Sequence, residues 1–216
     1  MNFKEQMAAK VVEIEEILKA YMPKEEGPQK IIMEAMNYSV TVGGKRLRPM
    51  LMQETYRLFG GEGDAVEPFM AAQEMIHTYS LVHDDLPAMD NDEYRRGKKT
   101  TWVAYGEDMA ILAGDGLLNY AFETALKAFG KADALKVAEC LKILAGKAGI
   151  YGMIGGQVVD VMSEEKKIDM ETLLFIHRNK TSALIQSSMM IGAVLAGASK
   201  EDVEKIEKIG EDIGLA

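Results

Sequence analysis

Apolar side chains recur every three or four positions along most of this chain, as in Ile14 and Leu18 or Ile31 and Ala35. That spacing places them on one face of an α-helix, whereas the strict alternation typical of a half-buried strand is almost absent. Glycine and proline residues interrupt the pattern at short intervals, where helices are expected to end. The pattern therefore predicts an all-α protein of about ten helices.

The interruptions also predict where individual helices lie. Pro68 and Pro87 bound an apolar-periodic segment, which we expect to be one helix over residues 68–85. Later helices are expected over residues 107–129, 132–147, 150–162, 170–196 and 200–214. The glycine-rich run at residues 60–64 indicates a short surface turn. Since no internal repeat is visible, we expect a single domain over residues 1–216.

The composition is that of a globular protein able to bury a core. Of 216 residues, 48% are hydrophobic and 27% are charged, which fits neither a disordered chain nor a membrane-spanning one. No apolar run approaches the roughly twenty residues that a spanning helix requires. Charged residues such as Lys4 and Glu5 interrupt the N-terminal segment, which excludes the apolar stretch of a signal peptide. We therefore expect a cytoplasmic protein without stable membrane insertion.

Charge and cysteine content narrow the possible functions. The net charge of −9 disfavours a nucleic-acid partner, because binding to a phosphate backbone needs a broad basic surface. The single cysteine, Cys140, cannot form an internal disulfide and lies in an apolar helical pattern. We expect a buried, unreactive thiol there and not a nucleophile.

The densest chemistry lies in the segment His83-Asp84-Asp85-Leu86-Pro87-Ala88-Met89-Asp90-Asn91-Asp92. Its carboxylates would repel one another without a cation between them, and oxygen ligands of this kind suit Mg²⁺ together with substrate phosphates. Four basic residues follow at once, namely Arg95, Arg96, Lys98 and Lys99. Because guanidinium groups match phosphate geometry, the segment predicts a magnesium-diphosphate site.

Local geometry favours that interpretation of the acidic segment. Pro87 disfavours helical geometry at Leu86, so Asp84 and Asp85 are expected in the last helical turn and Asp90 in the bend that follows. Acidic residues at a helix C-terminus oppose the helix dipole, and a bound cation would remove that penalty. The alternative is a solvated acidic turn without a ligand.

A second candidate site is the basic turn Gly43-Gly44-Lys45-Arg46-Leu47-Arg48-Pro49. The glycines allow the backbone to turn tightly and to approach a ligand, and Pro49 fits the first turn of a helix whose N-terminus favours anions. Lys45, Arg46 and Arg48 are expected to supply the positive charge. Such a turn alone is usually just solvated, but beside the acidic segment it predicts a second diphosphate held without metal.

Taken together, these motifs resemble those of the trans-isoprenyl diphosphate synthases, and among them the bacterial farnesyl diphosphate synthases. The similarity spans most of the chain and continues in order through Thr100-Thr101, Ala113-Gly114-Asp115, Gly155-Gly156-Gln157-Val158-Val159-Asp160 and Lys180-Thr181. The resemblance implies an isoprenoid-synthase-type helical bundle around a central apolar cavity. It also implies prenyl diphosphate substrates, Mg²⁺ as cofactor and a homodimer.

The resemblance further implies roles for individual residues. Asp84 and Asp90 match the Mg²⁺ ligands that bridge to an allylic diphosphate, and Asp85 matches a supporting carboxylate. Residues that match contacts to the allylic diphosphate are Arg95, Lys180 and Thr181. Residues that match the isopentenyl diphosphate pocket are Gly44, Lys45, Arg48, His77 and Arg96. His77 also fits an ordinary core histidine, and Lys180-Thr181 also fits an ordinary surface pair on a helix.

The implied reaction condenses dimethylallyl or geranyl diphosphate with isopentenyl diphosphate, by ionisation, condensation and proton loss. Product length is expected to depend on residues that precede Asp84 on its helix. Tyr79 lies five residues before Asp84, about 7.5 Å along the axis, and Ser80 lies one turn before it. In the family, an aromatic residue here with a small neighbour resembles a farnesyl-length stop. We therefore expect Tyr79 to form the cavity floor and the product to be farnesyl diphosphate, with geranylgeranyl diphosphate as the alternative.

Two rival interpretations remain open at this point. His83-Asp84 in an all-α chain also suggests a metal phosphohydrolase, but that site needs further histidine ligands and the chain has three histidines in all. A non-catalytic prenyl-synthase-like subunit is the other, because family members carry a second aspartate-rich motif after a segment similar to residues 210–216. We expect the chain to lack that C-terminal part.

Overall fold

The helices follow the predicted apolar pattern. A computed structural model describes residues 2–216 of the protein. Its α-helices are α1 Phe3–Tyr21, α2 Lys30–Thr41, α3 Leu47–Leu58, α4 Glu67–Asp84, α5 Thr101–Tyr105, α6 Glu107–Leu126, α7 Ala134–Ala148, α8 Met153–Ser163, α9 Met170–Ile176, α10 Ala183–Ala196 and α11 Lys200–Leu215. A π-helical turn, His177–Ser182, joins α9 to α10, and the short strands β1 Tyr94–Arg95 and β2 Lys98–Lys99 pair antiparallel. The all-α class is confirmed.

Polar side chains fix the starts of several helices. Asn2 caps α1 by accepting from the backbone N–H of Glu5, whose side chain accepts from Asn2 in return. Asp133, Asp169 and Ser199 accept from backbone N–H groups in the first turns of α7, α9 and α11. These caps satisfy amide groups that have no acceptor within their own helix, so the sequence defines these starts locally.

The chain divides into two compact units, and the first comprises the described residues up to Leu47 together with Ala71–Ala125. Helix α4 supplies much of its buried apolar surface, including Ala72, Met75 and Ile76. Buried residues from α1, α2 and α6 complete the core of this unit and include Ile14, Leu18, Ala35, Met36, Ala113 and Leu117.

The second unit comprises Arg48–Met70 and Leu126–Ala216. Helix α10 is buried along most of its length and packs against α7 and α11. Ile185, Met189 and Ala193 of α10 form an apolar cluster with Ile206 of α11. Cys140 of α7 is fully buried, with its Sγ 3.8 Å from a backbone oxygen of α10, which confirms the expectation of a buried thiol.

Three local features differ from the sequence predictions. The β1–β2 hairpin was not expected, and the predicted helix over residues 170–196 is interrupted by the π-helical turn. Helix α8 begins at Met153 and not at residue 150, because residues 149–152 form a turn in which Gly152 N–H donates to Gly149 O. Across residues 2–216, no helix is both long enough and apolar enough to cross a membrane.

Candidate active site

The acidic segment folds back on itself directly after α4. Asp84 is the last residue of that helix, and the backbone N–H of Asp90 donates to the carbonyl oxygen of Asp84 at 2.8 Å. A second bond, from Met89 N–H to Leu86 O at 2.9 Å, closes the turn around Pro87. Asp84 is 9% exposed and Asp90 is exposed, so the turn holds one buried and one accessible carboxylate on adjacent backbone.

An ion pair ties the acidic segment to the basic one. Arg95 Nε donates to both carboxylate oxygens of Asp85, at 2.8 and 3.1 Å, and Arg95 Nη2 donates to Oδ1 at 2.5 Å. Burial raises the pKa of Asp85, and the bond to Arg95 opposes that rise. The same bond raises the pKa of Arg95, so the guanidinium stays charged. The pair fixes Arg95 beside the turn that carries Asp84 and Asp90.

The hairpin orients the next arginine towards the basic turn. Arg96 and Gly97 connect β1 to β2, and both have a positive φ, of 54° and 77°. The Arg96 guanidinium donates to the carbonyl oxygen of Gly43. Gly44, with a φ of 156°, leaves room for this contact, because a Cβ there would lie 2.6 Å from Arg96 Nη1. Glycine at position 44 therefore allows the close approach of an arginine to the turn.

Arg46 corrects one expectation about the basic turn. Its side chain is only 3% exposed, and it donates to Glu74 at 2.8 Å and to the carbonyl oxygen of Val40 at 2.7 Å. Glu15 of α1 lies 3.5 Å from the same guanidinium. Arg46 is therefore a buried residue whose ion pairs join α1 to α4. Its charge is not accessible to a bound anion. Lys45, its neighbour, is exposed.

A small cavity brings several predicted residues of the first unit together. Its volume is about 30 Å³, and its polar lining includes His77, Asp85, Arg95, Arg96 and Thr100. Gly43 and Arg46 line it as well. Three arginines and a histidine line this one cavity, which suits it to a small anion.

The remaining α4 candidates, Tyr79 and Ser80, follow His77 along the helix. Ser80 Oγ donates to the carbonyl oxygen of His77 at 2.9 Å. Tyr79 is 6% exposed, and its hydroxyl has no hydrogen-bond partner among the described residues. Burial raises the pKa of Tyr79 to about 12, and the charge of Asp84 adds to that shift. Tyr79 is therefore a neutral, tightly enclosed ring on the helix that ends in the acidic turn.

Lys180 and Thr181 lie in the second unit, within the π-helical turn. Lys180 Nζ pairs with Asp160 of α8 at 2.6 Å. Gly156 of α8 packs directly on the backbone of the π turn, since a Cβ there would overlap Lys180 N and lie 2.8 Å from the carbonyl carbon of Asn179. Asp160 was given no role by the sequence reasoning, although it closes the Gly155–Asp160 motif that carried part of the resemblance. Arg48, at the start of α3, also belongs to this unit.

The residues that could hold a metal are carboxylates of the acidic turn. Over residues 2–216, no three His, Cys, Asp or Glu side chains are gathered into a preformed metal cluster. Mg²⁺ does not need such a cluster, because it commonly binds one or two carboxylates and completes its shell with water and substrate phosphates. Asp84 and Asp90, held on adjacent backbone, supply hard oxygen donors of that kind. The donor set of the turn therefore fits Mg²⁺.

The fold and these contacts define an all-α protein in which a carboxylate turn is paired to a basic hairpin beside a small polar cavity. The chain belongs to the polyprenyl synthetase family, because the sequence profile described as "Polyprenyl synthetase" matches residues 29–216. The resemblance seen in the motifs is thus confirmed at the level of the family.

Individual relatives carry different names. The chain is 44% identical over 204 residues to a geranylgeranyl diphosphate synthase of Cyanophora paradoxa, covering 94% of this chain and 67% of that protein. It is 43% identical over 204 residues to a farnesyl diphosphate synthase of Geobacillus stearothermophilus, covering 94% and 68%. A crystal structure described as an FPP/GFPP synthase from Zymomonas mobilis superposes with a TM-score of 0.91 at 36% identity, covering 98% of this chain and 77% of that one.

The coverage is unequal between this chain and its relatives. A chloroplastic geranylgeranyl pyrophosphate synthase of Catharanthus roseus is 46% identical over 185 residues, which is 85% of this chain and 52% of that protein. The chain therefore spans between about half and two thirds of the length of several curated relatives that it matches.

Proposed function

We propose that the protein is a trans-prenyltransferase that condenses an allylic diphosphate with isopentenyl diphosphate to give farnesyl diphosphate. The observation that carries the proposal is the Asp85–Arg95 ion pair, which holds the acidic turn against the arginine hairpin. A diphosphate bound there would meet carboxylates able to bind Mg²⁺ on one side and guanidinium groups on the other. Family membership and the names of the relatives support the same activity.

Charge neutralisation is the chemical task of this site. When an allylic diphosphate ionises, negative charge collects on the departing pyrophosphate, and Mg²⁺ held by Asp84 and Asp90 would neutralise part of it. Hydrogen bonds to Asp85 fix the position of the Arg95 guanidinium. Its remaining N–H groups, which do not point at Asp85, can donate to a diphosphate oxygen. From the family resemblance, we also assign Lys180 and Thr181 of the second unit a role in contacting an allylic diphosphate. Lys180 is also held by a carboxylate, that of Asp160.

The second substrate has its own candidate pocket. We assign isopentenyl diphosphate to Lys45, Arg48, His77 and Arg96, with Gly44 giving the backbone its close approach. Of these, His77 and Arg96 already line one cavity in the first unit. Guanidinium and imidazole N–H groups there would donate to the diphosphate oxygens, so no metal is required for this substrate.

The length of the product is the finer part of the proposal. An enclosed Tyr79 ring on α4, five residues before Asp84, would end the space available to a growing prenyl tail. That supports a farnesyl product. The alternative is a geranylgeranyl product, which the name of the Cyanophora paradoxa relative favours.

Assembly and location follow from the same proposal. Helix α6 exposes large apolar side chains at Ile111, Leu112 and Leu126, which are 43%, 50% and 49% exposed. Because such residues are typical of an interface, we propose a homodimer formed through this helix. Sedimentation or light scattering should give twice the chain mass, and a monomer at assay concentrations would contradict the assembly.

We also propose a cytoplasmic location for the protein. The single, fully buried Cys140 agrees with that location.

The test is a condensation assay with defined substrates. The protein is incubated with Mg²⁺, geranyl diphosphate and isotope-labelled isopentenyl diphosphate, and the products are identified by mass spectrometry. We expect farnesyl diphosphate from the wild type and a large loss of turnover in Asp84→Asn. A matched control is Asp108→Asn, an exposed carboxylate on α6 outside the turn, which should keep wild-type turnover. Binding without any product would instead indicate a non-catalytic prenyl-synthase-like subunit.

A further inference from the structure

The Ala113-Gly114-Asp115 motif of α6 packs against His83, the residue that precedes the acidic turn. His83 Nε2 lies 3.1 Å from the carbonyl oxygen of Ile111 and 3.9 Å from a carboxylate oxygen of Asp115. A backbone carbonyl can only accept, so Nε2 carries a hydrogen and donates to it. This bond fixes the orientation of the imidazole ring against α6.

Gly114 is the position on α6 that makes room for this ring. A Cβ at position 114 would overlap His83 Nε2 and lie 2.8 Å from Cε1. Gly114 is buried, whereas the His83 side chain is 31% exposed, so a Cβ at position 114 would push the imidazole outward and away from its bond to Ile111. The requirement for glycine here is therefore steric and is specific to His83.

His83 also contacts Tyr79, one helical turn earlier on α4. The two ring centroids are 5.9 Å apart and the ring planes are inclined by 79°, an edge-to-face contact. Since the Tyr79 hydroxyl has no hydrogen-bond partner among residues 2–216, packing and not a polar contact holds the ring in place. His83 thus contacts both Tyr79 and α6.

We propose that His83 and Gly114 are positioning residues that hold the Tyr79 ring in place and thereby set the length of the prenyl product. The inference rests on the proposed function, in which Tyr79 ends the space for the prenyl tail. If the imidazole is removed or displaced, Tyr79 turns into the vacated space. A longer prenyl chain is then accommodated, although Tyr79 itself is unchanged.

The experiment compares product lengths among variants of these two residues. His83→Ala and Gly114→Ala should each raise the fraction of products longer than the main wild-type product severalfold, whatever their total rate. His83→Phe keeps a ring in contact with Tyr79 and should restore most of the wild-type length distribution. The double variant should match His83→Ala alone, because the clash that Gly114→Ala creates no longer exists without the imidazole.

A matched glycine on the same helix serves as the control. Gly116→Ala introduces the same methyl group two residues further along α6, where a Cβ meets the flexible Met36 side chain, with Sδ 3.0 Å away. Its product lengths should equal those of the wild type. If the wild type makes product and His83→Ala makes products of the same lengths, this inference is wrong and the proposed function stands. If the wild type makes no product, the proposed function is wrong.

Two measurements decide the inference without turnover. In calorimetry with unreactive thiolo-diphosphates and Mg²⁺, His83→Ala should raise the affinity for the twenty-carbon tail relative to the fifteen-carbon tail severalfold, and an unchanged ratio overturns the inference. In unfolding experiments, Gly114→Ala should lower the midpoint in the wild-type background and raise it in the His83→Ala background, because alanine is the better helix former once the clash is gone. If Gly114→Ala shifts the unfolding midpoint in the same direction in both backgrounds, the contact between His83 and Gly114 does not cause the shift.

Discussion

Lys45 and Arg46 are adjacent basic residues in one turn, yet their surroundings are opposite. Lys45 is exposed, whereas Arg46 is buried between Glu74 and the carbonyl oxygen of Val40. The sequence shows two cations in a glycine-rich turn and cannot tell them apart, since the burial of Arg46 depends on a glutamate on another helix. The sequence alone therefore overestimates how many positive charges the turn can offer to a ligand.

The burial of Arg46 predicts a large effect on stability. Arg46→Ala leaves the Glu74 carboxylate, which is 5% exposed, without its guanidinium partner. Removing one partner of a buried ion pair typically costs about 3–5 kcal/mol in the free energy of unfolding. Urea denaturation followed by circular dichroism measures this loss.

An exposed arginine provides the comparison for that measurement. Arg57 pairs with Glu54 on the surface of α3, with side chains 49% and 46% exposed. Arg57→Ala should change the free energy of unfolding by only about 0–1 kcal/mol. If Arg46→Ala and Arg57→Ala change the free energy of unfolding equally, the buried ion pair of Arg46 does not contribute as proposed.

The thiol of Cys140 is expected to be unreactive in the folded protein. Its side chain is fully buried in the second unit, and burial raises its pKa well above the usual value for cysteine. Because the thiolate is the reactive form, a chromogenic disulfide reagent should label the native protein slowly from neutral to mildly alkaline pH. Labelling should become fast in denaturant, and equally fast labelling of the native protein would show that the thiol is accessible.

At the scale of elements, helices were predictable and the short connecting features were not. Apolar spacing over ten or more residues located α4, α6, α7 and α11 to within a few residues. The hairpin escapes this approach because strands of two residues are too short to show alternation. The π-helical turn is missed as well, since its six residues, His177–Ser182, are too few to show a period of their own.

The contact between α8 and the π-helical turn carries a prediction about helix packing. Gly156→Ala places a methyl group against the backbone of Asn179 and Lys180, which cannot yield as a flexible side chain would. Overpacking of this kind typically costs about 1–3 kcal/mol of stability. The measurement is the midpoint of chemical unfolding together with the slope of the transition.

Gly146 on α7 is the matched control for that substitution. A Cβ at position 146 would meet nothing within 4 Å, and the residue lies inside the helix. Gly146→Ala should therefore stabilise the protein by roughly 0.5–1 kcal/mol through helix propensity alone. A stabilising effect at both glycines would mean that α8 and the π turn do not touch closely.

At the scale of the whole molecule, the sequence predicted the helical class and the family from a few motifs. It could not predict which partners each motif residue would have, because ion pairs such as Asp85–Arg95 and Lys180–Asp160 join different elements. The contact between His83 and Gly114 could not be predicted either, because these residues lie on different helices. Motifs therefore identify the chemistry, and the fold decides which side chains remain available to perform it.

The proposed activity requires that the acidic turn bind a prenyl diphosphate through Mg²⁺. Isothermal titration of the protein with an unreactive allylic thiolo-diphosphate, with and without Mg²⁺, measures it most directly. We expect tight binding only when Mg²⁺ is present, and we expect Asp84→Asn to abolish it. Equal affinity with and without Mg²⁺, or an unchanged affinity in Asp84→Asn, would contradict it.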